Sequence, residues 1–135
     1  MNDEITTNAI AAEYVSLCRQ GRFEAAIDRY FAADHVRVES PDMAQPPVVI
    51  RGLDAVKANM QSSDDGIEIH GAEIDGPFVG ADRFAVRFGI DTTSTATGER
   101  TTITKLDLYT VERGKIVRDE VYYHTPPRLV AFPQT

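Results

Sequence analysis

Few side chains in this sequence are equipped to move a proton or hold a ligand. The histidines are His35, His70 and His124, and the single cysteine is Cys18. The histidines lack the short paired spacings of a metal site, so no metal is expected. One cysteine allows no intrachain disulfide. The nine glycines fall at turns rather than in a phosphate-cradling loop, so no cofactor is expected. What remains is acid/base chemistry. Strand alternation places Lys105, Asp107 and Tyr109 on one face, and Asp119, Val121 and Tyr123 on one face of the next strand. In an apolar pocket, desolvation favours the neutral Asp107 acid, which can donate a hydrogen bond; a nearby Lys105 ammonium holds it ionised. His70 shares a strand face with Glu68 and Ala72 and is the candidate general base, because imidazole changes charge closest to neutral pH.

Each candidate has a structural alternative. Tyr14 can be a helix tyrosine whose hydroxyl reaches the surface or a backbone carbonyl. Asp107 can pair with Lys105 or across a hairpin, and His70 can make a structural hydrogen bond. Asp119 can be a surface charge near Arg118. Ser40 shares a face with Val36 and Val38 and is expected to bond to the Pro-rich loop after it, not to act as a nucleophile. His35 at a strand start and His124 at a strand end are expected to be exposed.

The elements that must position these groups follow from hydrophobic periodicity. Ile10, Tyr14 and Leu17, flanked by Ala11, Val15 and Cys18, form one stripe of a helix over about 4–20, with Gly21 as its C′ residue. A second helix is predicted over about 22–33, carrying Phe23, Ile27, Tyr30 and Phe31. The period then drops to two, and residues 35–40 read as a short strand. Residues 41–48 hold three prolines and read as a loop. A third helix follows over about 53–62, with Leu53, Val56 and Met60. Four long strands complete the order, with Phe84, Val86, Phe88 and Ile90 on one face of the second. Their short connections demand antiparallel pairing.

The chain has 135 residues, 42% hydrophobic and 26% charged, with a formal net charge of −7. That length predicts one domain, 1–135. An acidic chain repels phosphate backbones, so nucleic acid is not an expected partner. The start Met1-Asn2-Asp3-Glu4 has neither the basic residues nor the apolar run of a secretory signal. No stretch approaches the roughly 20 apolar residues of a bilayer span. The expectation is a cytoplasmic protein without membrane contact. Residues 126–135 form a Pro-containing tail that either lies over a neighbouring surface or frays.

Tyr109 to Val117, the Gly98-Glu99-Arg100 turn, and Gly76-Pro77 followed by Arg83 to Phe88 resemble the SnoaL-like branch of the nuclear transport factor 2-like superfamily. The order ααβαββββ resembles its fold, an α+β cone of curved antiparallel sheet packed on three N-terminal helices. The resemblance implies a pocket lined by Phe31, Val38, Ser40, Met60, Ala72, Phe84, Val86, Phe88, Lys105, Asp119, Val121 and Tyr123. The same superfamily contains ketosteroid isomerase, in which an Asp base works with a Tyr and a protonated Asp that hold an oxyanion. Tyr14 and Asp107 resemble the two donors. The base position, within Val38-Glu39-Ser40-Pro41, holds Ser40, which leaves His70 as the remaining base. The epoxide hydrolase branch uses an Asp-Arg-Asp set. Its positions resemble Phe88, Ile90 and Val121 here, so that chemistry is not expected.

The resemblance therefore implies a small-molecule enzyme of isomerase, cyclase or lyase type, with Tyr14, His70 and Asp107 as catalytic residues and an apolar or uncharged ligand. The alternative is a non-catalytic ligand-binding or interaction module. Thr102, Thr104, Leu106 and Leu108 lie on the face opposite Lys105 and Asp107, and a homodimer through that convex face is expected.

Overall fold

The structure is a computed structural model that describes residues 3–40 and 46–124. Two helices, α1 (Asp3–Arg19) and α2 (Phe23–Tyr30), precede β1 (Phe31–Ser40), β2 (Val48–Arg51) and α3 (Leu53–Asp64). Four long strands follow: β3 (Ile67–Val79), β4 (Arg83–Ser94), β5 (Arg100–Glu112) and β6 (Lys115–Tyr123). The tail 126–135 lies outside the described residues, as does much of the Pro-rich loop.

Gly21 stops α1. It takes φ +75°, which lets its N–H reach the Cys18 carbonyl at 3.0 Å and the Arg22 N–H reach the Leu17 carbonyl at 2.9 Å. Both carbonyls would otherwise be orphans at the helix end, and a side chain would strain that left-handed conformation. The stripe Ile10, Tyr14, Leu17 is buried with Ala11, Val15 and Cys18. Thr7 sits inside the helix, where its hydroxyl donates to the Ala81 carbonyl at 3.0 Å and ties α1 to the β3–β4 turn. Arg19 donates to the carbonyls of Ile74 and Gly76, at 3.1 and 2.8 Å, where the β3 ladder is interrupted.

The second helix is shorter than its periodicity predicts. It ends at Tyr30, and Phe31 is already extended. Ala32 and Ala33 favour helix locally, but Phe31 pairs with Ile116 of β6, and ladder formation overrides the propensity. Phe23, expected on the buried stripe, is exposed.

The strands form one sheet in the order β2-β1-β6-β5-β4-β3. Consecutive strands joined by tight turns are antiparallel, as expected. The β1–β6 pair is parallel, because most of the chain separates its members and no hairpin constrains them. β2 falls partly inside the predicted loop. It is a short edge strand antiparallel to β1.

One irregularity decides the site. Phe31 faces Ile116 and Val36 faces Arg118, so β1 carries extra residues over the same span of β6. A bulge of this kind shifts the alternation. His35 and Arg37 turn into the buried interior, and Val36, Val38 and Ser40 lie half-buried on the other face. Elsewhere alternation holds: Phe84, Val86 and Phe88 are buried along β4, as are Asp107 and Tyr109 along β5. α1 packs on β3 and β4, and α3 packs on β1 and β2. Between them, Phe84 stacks on Tyr109 at 4.7 Å and Tyr14 meets the same ring edge-on at 4.9 Å. Each such pair contributes roughly 0.5–1.5 kcal/mol beyond area burial. No helix among the described residues is long and apolar enough to cross a membrane.

Candidate functional site

A cavity of about 570 Å³ opens between the helices and the inner face of the sheet. That volume suits a small molecule of drug-like size. Its buried lining includes four polar side chains, Tyr14, Arg37, Asp107 and Tyr109. Its apolar wall includes Ile27, Met60, Phe88 and Ile90, and its exposed rim includes His70 and Ala72 of β3. Lys105 and Tyr123 also line it.

The fold thus places Tyr14, Met60, His70, Ala72, Phe88, Lys105, Asp107 and Tyr123 around one space. Other residues implied by the resemblance lie elsewhere. Phe31, Phe84, Val86 and Val121 are packed in the core and do not line the cavity. Val38 and Ser40 are on the face of β1 opposite the buried His35 and Arg37 and do not line the cavity. Asp119 is neither a surface charge nor a cavity residue. It is 0% exposed. His35, expected to be solvent-exposed, is also 0% exposed, because β1 begins at Phe31 and His35 is well inside it. His124 is exposed.

The bulge assembles a charge cluster that the sequence reading missed. Asp119 is engaged on both sides. Its Oδ1 lies 2.6 Å from His35 Nε2, and its Oδ2 accepts from Arg37 Nη1 at 2.7 Å. The same Nη1 lies 3.8 Å from Asp107 Oδ2, and Arg37 Nε donates to Glu39 Oε1 at 3.0 Å. Burial opposes the charge on Arg37, but Asp119, Asp107 and Glu39 outweigh it and hold the guanidinium charged. Burial, and then the neighbouring Asp119, pushes the Asp107 carboxyl well above the usual carboxylate range. Asp107 is 2% exposed, and its Oδ1 has no hydrogen-bond partner. A buried carboxyl in this condition is a neutral acid with a proton to donate.

Tyr14 and Tyr109 complete the polar end. Their hydroxyls are 3.3 Å apart. One O–H is used between them, so the pair presents the other outward whichever way the bond runs. Burial raises both phenols, which keeps them as donors. Burial also pushes the Cys18 thiol up to about 12, so this cavity residue is a packing thiol and not a thiolate nucleophile. His70 Nε2 lies 2.7 Å from Thr93 Oγ1 at the open rim. Lys105 Nζ sits 5.4 Å above the Phe88 ring.

The signal for His35, Arg37 and Glu39 was present as polar residues at i, i+2, i+4 facing three hydrophobic or small ones. Burying the Val side was the ordinary choice. Only the position of Asp119 on the neighbouring strand makes the polar side the buried one. An Asp-Arg-Asp set does therefore exist, contributed by three strands, but only Asp107 of its two carboxyls lines the cavity. Among the described residues, no group of three or more His, Cys, Asp or Glu is placed to hold a metal ion. A second concavity, of about 580 Å³, lies on the outer sheet face beside Arg87, Asp91 and Arg100. Its charges are paired as Arg100–Asp91 and Arg87–Asp75.

Comparison with known proteins places this arrangement in a lineage. No functionally curated protein matches the chain. A crystal structure from Mesorhizobium loti, provisionally named a SnoaL-like polyketide cyclase and also a carbohydrate phosphatase, is 37% identical. It covers 86% of this chain and 97% of its own, with a TM-score of 0.77. A provisionally named isomerase from Bacillus subtilis is similar at 16% identity, covering 92% of this chain and 90% of its own, TM-score 0.65. AclR from Streptomyces galilaeus, provisionally named a hydroxylase, is 16% identical over 92% of each chain, TM-score 0.65. At such identities the last two show the fold alone. The family model for the SnoaL-like domain matches residues 5–123. Helices, mixed curved sheet and sequence agree, and the chain belongs to the SnoaL-like domain family.

Proposed function

We propose that this protein takes an uncharged, largely apolar, carbonyl-bearing small molecule into the cavity and acts on it by acid/base chemistry without a cofactor. The observation that carries the reading is Asp107: buried, raised toward its neutral form, with an unpartnered Oδ1 and a place on the cavity wall. A neutral acid facing an apolar space supplies a proton, or a hydrogen bond, to oxygen that gains negative charge. The Tyr14–Tyr109 pair adds a second donor at the same end. His70 on the rim is the candidate base, with Nε2 engaged by Thr93 and Nδ1 left for the ligand. Ser40, off the cavity, takes no part. Isomerisation, cyclisation and elimination all use this division of labour.

The test begins with intact-mass measurement of natively purified protein for a retained ligand, followed by a screen of enolisable ketones and esters. Asp107→Asn and Tyr14→Phe should each lower turnover roughly 10²–10³-fold while the fold is retained. A ligand that binds in the cavity and is never turned over would instead identify a binding module, and binding indifferent to both substitutions would remove the site.

The proposal extends to assembly. Leu106 and Tyr122 are register partners on the outer sheet face and both are exposed. A second copy of the chain covering that face makes a homodimer.

A further inference from the structure

The ring of His35 is held at both nitrogens. Nδ1 lies 2.9 Å from the Ile116 carbonyl oxygen. A carbonyl only accepts, so Nδ1 carries a hydrogen. In a neutral ring that leaves a lone pair on Nε2, which lies 2.6 Å from Asp119 Oδ1. A lone pair against an ionised carboxylate at that distance is repulsive, and neither side chain has any exposure to water that would relieve it. The contact therefore contains a proton: the Asp119 acid donates to imidazole, or imidazolium donates to carboxylate. Burial lowers His35 and raises Asp119, and both shifts favour the uncharged pair.

The other oxygen of Asp119 fixes Arg37, whose Nη1 stands between the two carboxyls at 2.7 and 3.8 Å. The His35 ring is itself locked by stacking on Phe31 at 4.0 Å. A chain of fixed contacts therefore runs from the Ile116 carbonyl through His35, Asp119 and Arg37 to Asp107.

We propose that His35 and Asp119 hold one shared, buried proton, and that this dyad, through Arg37, is a positioning unit that sets the charge and aim of Asp107. Neither residue lines the cavity, so neither touches the ligand. Charged and titratable groups face the dyad from several elements. Arg37 and Glu39 face the dyad from β1, with Asp34 nearby. Asp107 and Lys105 face it from β5, Tyr14 from α1. Tyr109 and Tyr123 lie in the same field and add no charge near neutral pH. With the dyad net neutral and Arg37 balanced by Glu39, Arg37 and the Lys105 ammonium still favour the Asp107 carboxylate, and burial outweighs them. The purpose assigned to the dyad rests on Asp107 being the ligand-facing acid; the shared proton does not.

Nuclear magnetic resonance on the labelled full chain tests both parts without a substrate. At about pH 7, a strongly downfield exchangeable proton coupled to His35 Nε2 is expected in the wild type and in Asp107→Asn, and is lost in Asp119→Asn. A His35 ring with an ordinary, rapidly exchanging Nε2 hydrogen overturns the shared proton. The Asp107 carboxyl carbon reports the positioning. In Asp119→Asn, Arg37 loses a partner and turns to Asp107, so the Asp107 midpoint should fall by about one to three pH units. In His35→Gln, Asp119 becomes fully ionised and the midpoint should rise. An Asp107 midpoint unmoved in a folded variant overturns the positioning role. If Asp119→Asn does not fold, the wild-type spectrum decides the proton and His35→Gln decides the positioning. A positive spectrum with no turnover on any ligand leaves the dyad standing and removes only the enzymatic reading.

Discussion

Asp107→Asn is the most direct test of the buried acid, because it deletes the ionisable proton and keeps the shape. In the folded protein, burial above all holds the Asp107 carboxyl well above its ordinary range. In the unfolded chain an aspartate titrates near about pH 4. Between those two points the folded state binds a proton that the unfolded state has released. A carboxyl raised on folding therefore contributes stability that is complete below the unfolded midpoint and is lost as pH climbs through the folded one. The rate of loss is about 1.4 kcal/mol per pH unit for one group. Asparagine has no such dependence. The stability difference, wild type minus Asp107→Asn, should thus fall as pH rises above the unfolded midpoint, by at most about 1.4 kcal/mol per pH unit, until the folded carboxyl ionises. Because Asp107 is 2% exposed, solvent screening takes little from that figure. The chain contains no tryptophan, so urea unfolding followed by far-ultraviolet circular dichroism is the suitable assay. Contributions of the surface carboxylates are common to both proteins and largely cancel. A difference that stays constant with pH, or that grows in favour of the wild type, would refute the claim that Asp107 is a neutral buried acid.

Three further outcomes are expected. Arg37→Met leaves Asp119, Asp107 and Glu39 without their shared cation and should cost about 3–5 kcal/mol, read from the urea midpoint. Gly76→Ala should destabilise by roughly 1–3 kcal/mol, because Gly76 has φ +121° and an added Cβ would meet the Ala85 carbonyl oxygen at 3.0 Å; an unchanged melting temperature would contradict this. Sedimentation equilibrium at micromolar concentration should give twice the 14.9 kDa chain mass, and Leu106→Asp should return a monomer; a wild-type monomer would end the homodimer proposal.

The residue pattern made much of the fold legible. Period-3.6 stripes mark α1 and α3, Gly21 marks the first stop, and the Phe84–Phe88 alternation marks β4. These are local signals, and local physics enforces them. The end of α2 was not legible, because Phe31 leaves the helix to pair with a strand some eighty-five residues away. β2 was hidden for a similar reason: a four-residue edge strand exists only because β1 offers it a ladder. Of the site, Tyr14 and Asp107 were readable from helix and strand faces, since nothing disturbs the alternation of β5 near Asp107.

The sequence alone put Tyr14 on the apolar stripe of a helix and Asp107 on one strand face with Lys105 and Tyr109, through periodicities of 3.6 and 2, which are properties of the backbone. That the two share a space was implied only by the family resemblance. Only the tertiary structure decided which face of β1 is inside. Pairing of β1 with β6 puts His35 and Arg37, not Val36 and Val38, on the buried face. A buried histidine and arginine are stable there because Asp119, from the neighbouring strand, bonds to both. Neither half of that arrangement could be buried without the other.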